Sequence, residues 1–200
     1  PGNARAGEML AGAMCRTGQY AAAVDELAKL EDARAEDAGL NLEYIYTLLR
    51  AGQARAAADL KATEGAPILS TLFTALARKH AGDPYRPLLD TLDSVEGDID
   101  EECGGVLGTM FFFFGEKDAG EFIINEMKAL REEGVTSMRV DIVLARAYMN
   151  VEKYAEAEAV LAKVSEQHPD EKYPHLYLST VYDELGRFRD AERHLKRCLV

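Results

Sequence analysis

The sequence predicts an all-α protein built from paired antiparallel helices. Long stretches rich in Ala, Leu and Glu, with few runs of β-branched residues, favour helices over strands. The chain also repeats itself: RTGQYAAAVDEL at 16–27 returns as RAGQARAAADLK at 50–61, and NVEKYAEAEAVL at 150–161 returns as ELGRFRDAERHL at 184–195. Both copies are shifted by 34 residues, a period typical of repeated helical hairpins.

Turns between the helices set the length of each repeat. Six turn positions follow one another at intervals of 30 to 37 residues: Gly18, Gly52, Gly82, Gly115, Glu152 and Gly186. Small residues recur seven positions before and five positions after most of these turns, which predicts helix axes that approach closely within each pair. We therefore divide a single domain over 1–200 into six repeats, at about 4–37, 38–67, 68–100, 101–137, 138–171 and 172–200.

The third and fourth repeats are the least regular. Pro84 and Pro87 stand at the start of the second helix of the third repeat, and proline is tolerated there only in a first turn. We expect a shorter or differently angled helix pair. In the acidic segment 90–105 the spacing does not fit a calcium loop, so we expect a solvated loop in which Asp98 or Asp100 caps the next helix.

This pattern resembles the tetratricopeptide repeat family over essentially all 200 residues. The best-matched repeats are 138–171, where Pro169 stands at the position of the family's closing proline, and the one that begins at Lys172. The resemblance implies a right-handed α-solenoid of about six hairpins, with first helices that line a concave surface and no catalytic site. Because no polar capping helix follows the last repeat, we expect the chain to be a piece of a longer protein.

The family's ligand-facing positions place a partner-binding groove on the first helices. Its middle is apolar, and contiguous apolar surface rarely stays exposed without a partner. The predicted groove residues are Leu42, Tyr46, Leu49, Leu69, Leu72, Leu76, Phe112, Arg139, Ile142, Arg146 and Met149. We expect the groove to bind an amphipathic helix or extended apolar peptide of another protein, as a scaffold or chaperone-like adaptor. Two alternatives stay open, which are a groove filled by the chain itself and one filled by a missing terminal helix.

Four consecutive phenylalanines belong to the fourth repeat. Successive helical side chains step by about 100° around the axis, so the four cannot all face one core. By the repeat alignment Phe111 belongs to the core of its own repeat and Phe114 packs against a neighbouring repeat. Phe112 points toward the groove, and Phe113 lies at its edge.

Composition limits the possible partners. A formal charge of −12 and a pI near 4.8 argue against nucleic acid and anionic membrane surfaces. No apolar run is long enough to insert into a membrane. Three scattered cysteines favour a reducing compartment, which indicates the cytoplasm, with the bacterial periplasm as the alternative. A homo-oligomer, a structural region for self-assembly and a regulatory arm of a larger enzyme remain further possibilities.

Motifs for catalysis and for cofactors are missing from the sequence. It contains no phosphate-binding loop, zinc-protease helix or nucleophile elbow. His194 and Cys198 share one helical face, but no further metal ligand is evident near them. We therefore predict no enzyme activity, no cofactor and no metal.

Overall fold

A computed structural model describes residues 2–61 and 65–199, and in these ranges the chain forms only helices, turns and loops. The predicted all-α class is confirmed. Residues 62–64 and 200, which belong to the second and sixth predicted repeats, lie outside the described residues, as does residue 1. The chain divides into two compact units, Pro1–Ala119 and Gly120–Val200.

The first unit consists of short helices joined by tight turns and followed by a longer helical segment. The first helices are α1 Gly2–Arg16, α2 Tyr20–Ala28, α3 Glu31–Glu36, α4 Ala38–Arg50, α5 Ala54–Ala58, α6 Pro67–Ala81 and α7 Arg86–Asp90. A 3₁₀ turn follows at Leu92–Ser94. The longer segment comprises α8 Ile99–Glu102, a π-helical turn at Cys103–Leu107 and α9 Gly108–Phe114, and α10 Glu116–Glu132 comes next.

The second unit contains the two most regular helical hairpins. After the end of α10 come α11 Met138–Asn150, α12 Tyr154–Gln167, α13 Lys172–Glu184 and α14 Phe188–Cys198. Helix α11 pairs with α12, α13 pairs with α14, and α12 also packs against α13. This paired packing is consistent with a helical repeat, whereas the right-handed superhelix stays a prediction.

The turn positions are where the sequence predicted them. Each of the six turn residues lies between two helices and has a positive φ: Gly18 76°, Gly52 73°, Gly82 78°, Gly115 90°, Glu152 58° and Gly186 69°. Left-handed backbone of this kind ends helices and is the conformation that glycine adopts without a steric cost.

Small residues lie in the helix contacts, as the repeat alignment predicted. Ala11, Ala23, Ala145 and Ala157 are each fully buried, and the helices that carry them pack in pairs, α1 with α2 and α11 with α12. The second helices of the second and third repeats are short, because α5 and α7 each have five residues. This confirms the shortening predicted for the third repeat, where Pro87 is exposed.

The first helix of the fourth repeat departs from a regular stack. Instead of packing against the third repeat alone, α8 contacts α6, the π-helical turn contacts α4, and α9 contacts α1 and α4. Five of its buried apolar residues form a stripe that recurs every three or four positions, namely Ile99, Cys103, Leu107, Met110 and Phe114, and Phe111 and Phe113 are buried beside it. We call residues 99–114 the resident helix, and the surface of α1, α4 and α6 that it contacts the inner face.

Candidate functional site

The resident helix begins at a strong capping residue. The Asp98 carboxylate accepts hydrogen bonds from the backbone N–H groups of Asp100 and Glu101, at 2.9 and 3.2 Å. This confirms the expected cap. Three acidic residues follow in the first turn, where negative charge is favourable next to the positive end of the helix dipole. The helix ends at Gly115, whose φ is 90°.

Glu102 attaches the start of the resident helix to the inner face. Its carboxylate accepts hydrogen bonds from the backbone N–H groups of Ile68 at 3.3 Å and Leu69 at 2.9 Å, and it is buried. Helix α6 begins at Pro67 after Ala66, which has no side chain able to cap it. Glu102 therefore satisfies N–H groups of the first turn of α6 that its own sequence leaves without an acceptor.

Phe113 and Phe114 attach the other end of the resident helix. The ring of Phe114 lies 5.0 Å from the ring of Tyr46 on α4, in a tilted arrangement. A Cβ atom on Gly12 would lie only 2.8 Å from the Phe113 carbonyl oxygen, so α1 approaches this closely only because Gly12 has no side chain. Arg16 also donates a hydrogen bond to the Phe113 carbonyl, and Arg5 lies 4.5 Å from the Phe113 ring centre.

Most of the predicted groove residues of the first unit are buried. Leu42, Tyr46, Leu69, Leu72 and Leu76 are at most 1% exposed, and Leu49 is half-buried. The expectation of an open groove at the five buried positions is therefore corrected. Their helices, α4 and α6, carry the inner face, which the resident helix covers, and this agrees with the alternative in which the chain fills its own groove.

The four phenylalanines divide into three buried rings and one exposed ring. Phe111, Phe113 and Phe114 are at most 3% exposed, whereas Phe112 is 73% exposed. The burial predicted for Phe111 and Phe114 is confirmed. Phe114 does not pack on an adjacent repeat as predicted, because its ring contacts Tyr46 of the second repeat. The prediction for Phe113 at the groove edge is corrected, since it is buried against α1. Phe112 is largely open to solvent, and its orientation toward a groove stays a prediction.

A buried carboxyl group without a partner also lies in the first unit. Glu43 on α4 is 1% exposed, and neither of its carboxylate oxygens has a hydrogen-bond partner among the described residues. Burial, together with the nearby negative charges of Glu8 and Asp37, raises the pKa of Glu43 to about 9. At neutral pH the side chain is therefore a neutral carboxylic acid in this arrangement.

The predicted groove residues of the second unit are more accessible. Ile142 is buried, while Arg139, Arg146 and Met149 on α11 are half-buried. The Arg146 guanidinium lies 5.2 Å from the ring centre of Tyr177 on α13, which brings the two first helices of this unit together on one side. This surface thus offers Arg139, Arg146 and Met149 to solvent. The expectation of an open groove position at Ile142 is corrected, and the binding role of the other three stays a prediction.

Other kinds of site find little support in the described residues. Nowhere in them do three or more His, Cys, Asp or Glu side chains come together in a way that could hold a metal ion. None of their helices combines the length and the apolar composition that crossing a lipid bilayer requires. A cleft of about 370 Å³ borders the start of the resident helix and is lined in part by Pro67, Glu101 and Val106.

Sequence reasoning missed Glu43 and the attachment through Glu102. Glu43 is the only acidic residue between Ala38 and Arg50, and an isolated carboxylate inside an apolar helix was a signal that could have been used. No comparable local signal exists for Glu102, because its hydrogen bonds connect residues 33 and 34 positions apart.

Comparison with known proteins agrees with the repeat pattern. No curated protein matches the chain. The family model for the tetratricopeptide repeat matches residues 151–199, which comprise helices α12, α13 and α14. This type of repeat is in general a protein–protein interaction module and is typically not catalytic. The chain therefore contains a tetratricopeptide repeat domain at residues 151–199.

Proposed function

We propose that this chain is a protein–protein interaction module that binds an amphipathic helix of a partner protein on the inner face of its first unit. One observation carries the proposal: the inner face already holds a helix, residues 99–114 of the chain itself. The partner helix binds by taking the place of the resident helix. The proposed contacts include Leu42, Tyr46 and Leu72, which become available when the resident helix leaves.

The inner face is favourable for binding a helix and unfavourable when it is exposed to water. Its leucines and Tyr46 are fully buried in the folded chain, and the Tyr46 ring lies against Phe114 of the resident helix. Burying an apolar side chain of this size is worth about 1.5–3 kcal/mol. Leaving the face empty would forfeit several such contributions. Replacement of one helix by another keeps them, which favours exchange over simple opening.

The resident helix is less stable than a helix that the inner face could accommodate. Gly104, Gly105 and Gly108 lie within it, and a Cβ atom added at any of the three would meet no atom within 4 Å apart from its chain neighbours and the nearby backbone of its own helix. Packing therefore does not require these glycines, although each lowers helix stability by about 0.5–1 kcal/mol relative to Ala. A partner helix without them has an advantage of roughly 2 kcal/mol over the resident helix.

An exchange peptide tests the proposal. It has the sequence of residues 98–115 with Gly104→Ala, Gly105→Ala and Gly108→Ala, and it carries a fluorophore for anisotropy measurements. We expect it to bind the intact chain. Because the resident helix competes, Glu102→Ala in the protein should lower the apparent Kd at least fivefold, and Gly104→Ala in the protein should raise it about two- to fivefold.

The controls separate exchange from other modes of binding. Glu101→Ala removes an exposed carboxylate next to Glu102 and should leave the apparent Kd within a factor of two of the wild-type value. Gly104 lies outside α1, α4 and α6 and acts only through the resident helix. Glu102 also caps the start of α6, and in the complex Glu102 of the exchange peptide should take over this cap. Identical affinities for all four proteins, or no binding to any, would refute the proposal.

The second unit offers an additional contact surface within the same function. Arg139, Arg146 and Met149 are partly open to solvent on α11. We propose that they contact an acidic or apolar part of the partner outside the exchanged helix. The half-exposed guanidinium of Arg146, already oriented by Tyr177, supports this role because an oriented group loses less side-chain entropy on binding.

A further inference from the structure

Glu43 is buried in a corner of the first unit, near the place where α1 contacts the resident helix. It belongs to α4, and its nearest charged neighbours include Arg5 and Glu8 on α1. Arg5 in turn lies over the ring of Phe113 in the resident helix. Arg5 thus connects the corner around Glu43 to the resident helix, and α1 and α4 both belong to the surface on which we propose that a partner helix binds.

The corner is short of positive charge. Arg5, whose charge favours an ionised Glu43, is already paired with Glu8 at 3.0 and 3.1 Å. The resident helix has no Lys or Arg in its sequence IDEECGGVLGTMFFFF and contributes three acidic residues at its start. Both oxygens of Glu43 consequently stay without a partner among the described residues.

A buried carboxyl group without a partner is unfavourable if the resident helix only completes the hydrophobic core. A buried polar group without a hydrogen bond loses its interactions with water and gains none in exchange. An apolar residue or a glutamine with partners would avoid this penalty. A carboxyl group is useful in this place if another helix supplies the missing donor.

We propose that the helix for which the inner face is built carries a Lys or Arg side chain that pairs with Glu43, and that the resident helix is its weaker substitute. This inference rests on the proposed function and names the chemistry of the partner. A cationic donor would let Glu43 ionise and form short, charge-assisted hydrogen bonds. The formal charge of −12 on the chain also attracts a basic segment.

Three lysine versions of the exchange peptide locate the contact. Cys103→Lys, Leu107→Lys and Met110→Lys each place a cation at a buried position of the resident helix between Glu102 and Phe111. The Kd of each peptide and of the unmodified exchange peptide is measured on the wild-type protein and on Glu43→Gln. Glutamine keeps the size of the side chain and cannot ionise, and circular dichroism checks that the variant is folded.

The comparison forms a double-mutant cycle, so the cost of replacing an apolar side chain of the peptide with lysine cancels. For at least one lysine peptide, the ratio of its Kd to that of the unmodified peptide should be at least tenfold lower on the wild type than on Glu43→Gln. Glu8→Gln, which removes the neighbouring carboxylate on α1, should retain most of that difference.

The outcomes distinguish this inference from the function on which it rests. If the unmodified peptide binds but none of the three ratios depends on Glu43, the inference is overturned and the proposed function stands. If no peptide binds even to Glu102→Ala, both are overturned. A ratio that changes equally with Glu8→Gln and Glu43→Gln would indicate a general effect of negative charge and would also overturn the pairing.

Discussion

At the residue scale, Glu43 connects the stability of the first unit with pH. The unfolded chain loses the proton of this side chain near its ordinary pKa of 4.5, whereas burial in the folded state raises the pKa to about 9. Between these values the folded protein holds a proton that the unfolded chain has released. As far as Glu43 is concerned, the free energy of unfolding is therefore highest below about pH 4.5 and falls as pH rises toward 9.

The direction of this pH dependence leads to a prediction for Glu43→Gln. The variant removes the titration, so its free energy of unfolding should exceed that of the wild type by an amount that grows with pH. The limiting slope is about 1.4 kcal/mol per pH unit. Urea unfolding at pH 5, 6, 7 and 8 measures the difference, with Glu101→Gln as the matched control for loss of an exposed carboxylate. A difference that stays constant over this range would contradict the assignment.

At the element scale, the hairpins of the second unit contain a natural pair of turns for comparison. The turn between α11 and α12 has Glu152 at φ 58°, and the turn between α13 and α14 has Gly186 at φ 69°. Their hydrogen bonds match as well, since Lys153 N–H donates to the Tyr148 carbonyl at 2.9 Å and Arg187 N–H donates to the Tyr182 carbonyl at 2.7 Å. Only the first turn holds a side chain in left-handed backbone.

We predict that Glu152→Gly stabilises the protein by about 0.5–1 kcal/mol, because it removes the steric strain of a side chain in left-handed backbone and leaves the length of the turn unchanged. The reverse change, Gly186→Ala, should destabilise the matching turn by about 1 kcal/mol. Thermal melting followed by circular dichroism measures both. Opposite signs support equivalent turns in the two hairpins, whereas a loss of stability in Glu152→Gly would mean that its side chain has a role the turn does not explain.

Some features of the resident helix could be predicted from nearby residues, whereas others depend on residues far away in the sequence. Its capping residue Asp98 was predictable because the cap and its N–H partners lie within three positions. Its location was not, because the contact between Arg16 and Phe113 joins residues 97 positions apart. A regular stack of repeats would place each helix against the preceding repeat. This holds for α8, which contacts α6, but not for α9, which contacts α1 and α4.

At the scale of the whole molecule, the sequence predicted the class, the turns and the close helix contacts because each follows from a residue type at a fixed spacing. Gly18 and Ala157 are examples, one for its backbone conformation and one for its size. It also predicted which surface of the first unit is apolar. It could not predict that the chain covers this surface itself, since Leu72 has the same pattern in an open groove and in a filled one.

The central claim is that residues 99–114 form a replaceable occupant of the inner face. Hydrogen–deuterium exchange of the intact chain, with and without saturating exchange peptide, tests it most directly, and the three alanines make the peptide distinguishable by mass. We expect residues 99–114 of the chain to lose protection when the peptide binds, while α4 keeps its protection. Binding that leaves residues 99–114 as protected as before would contradict the account.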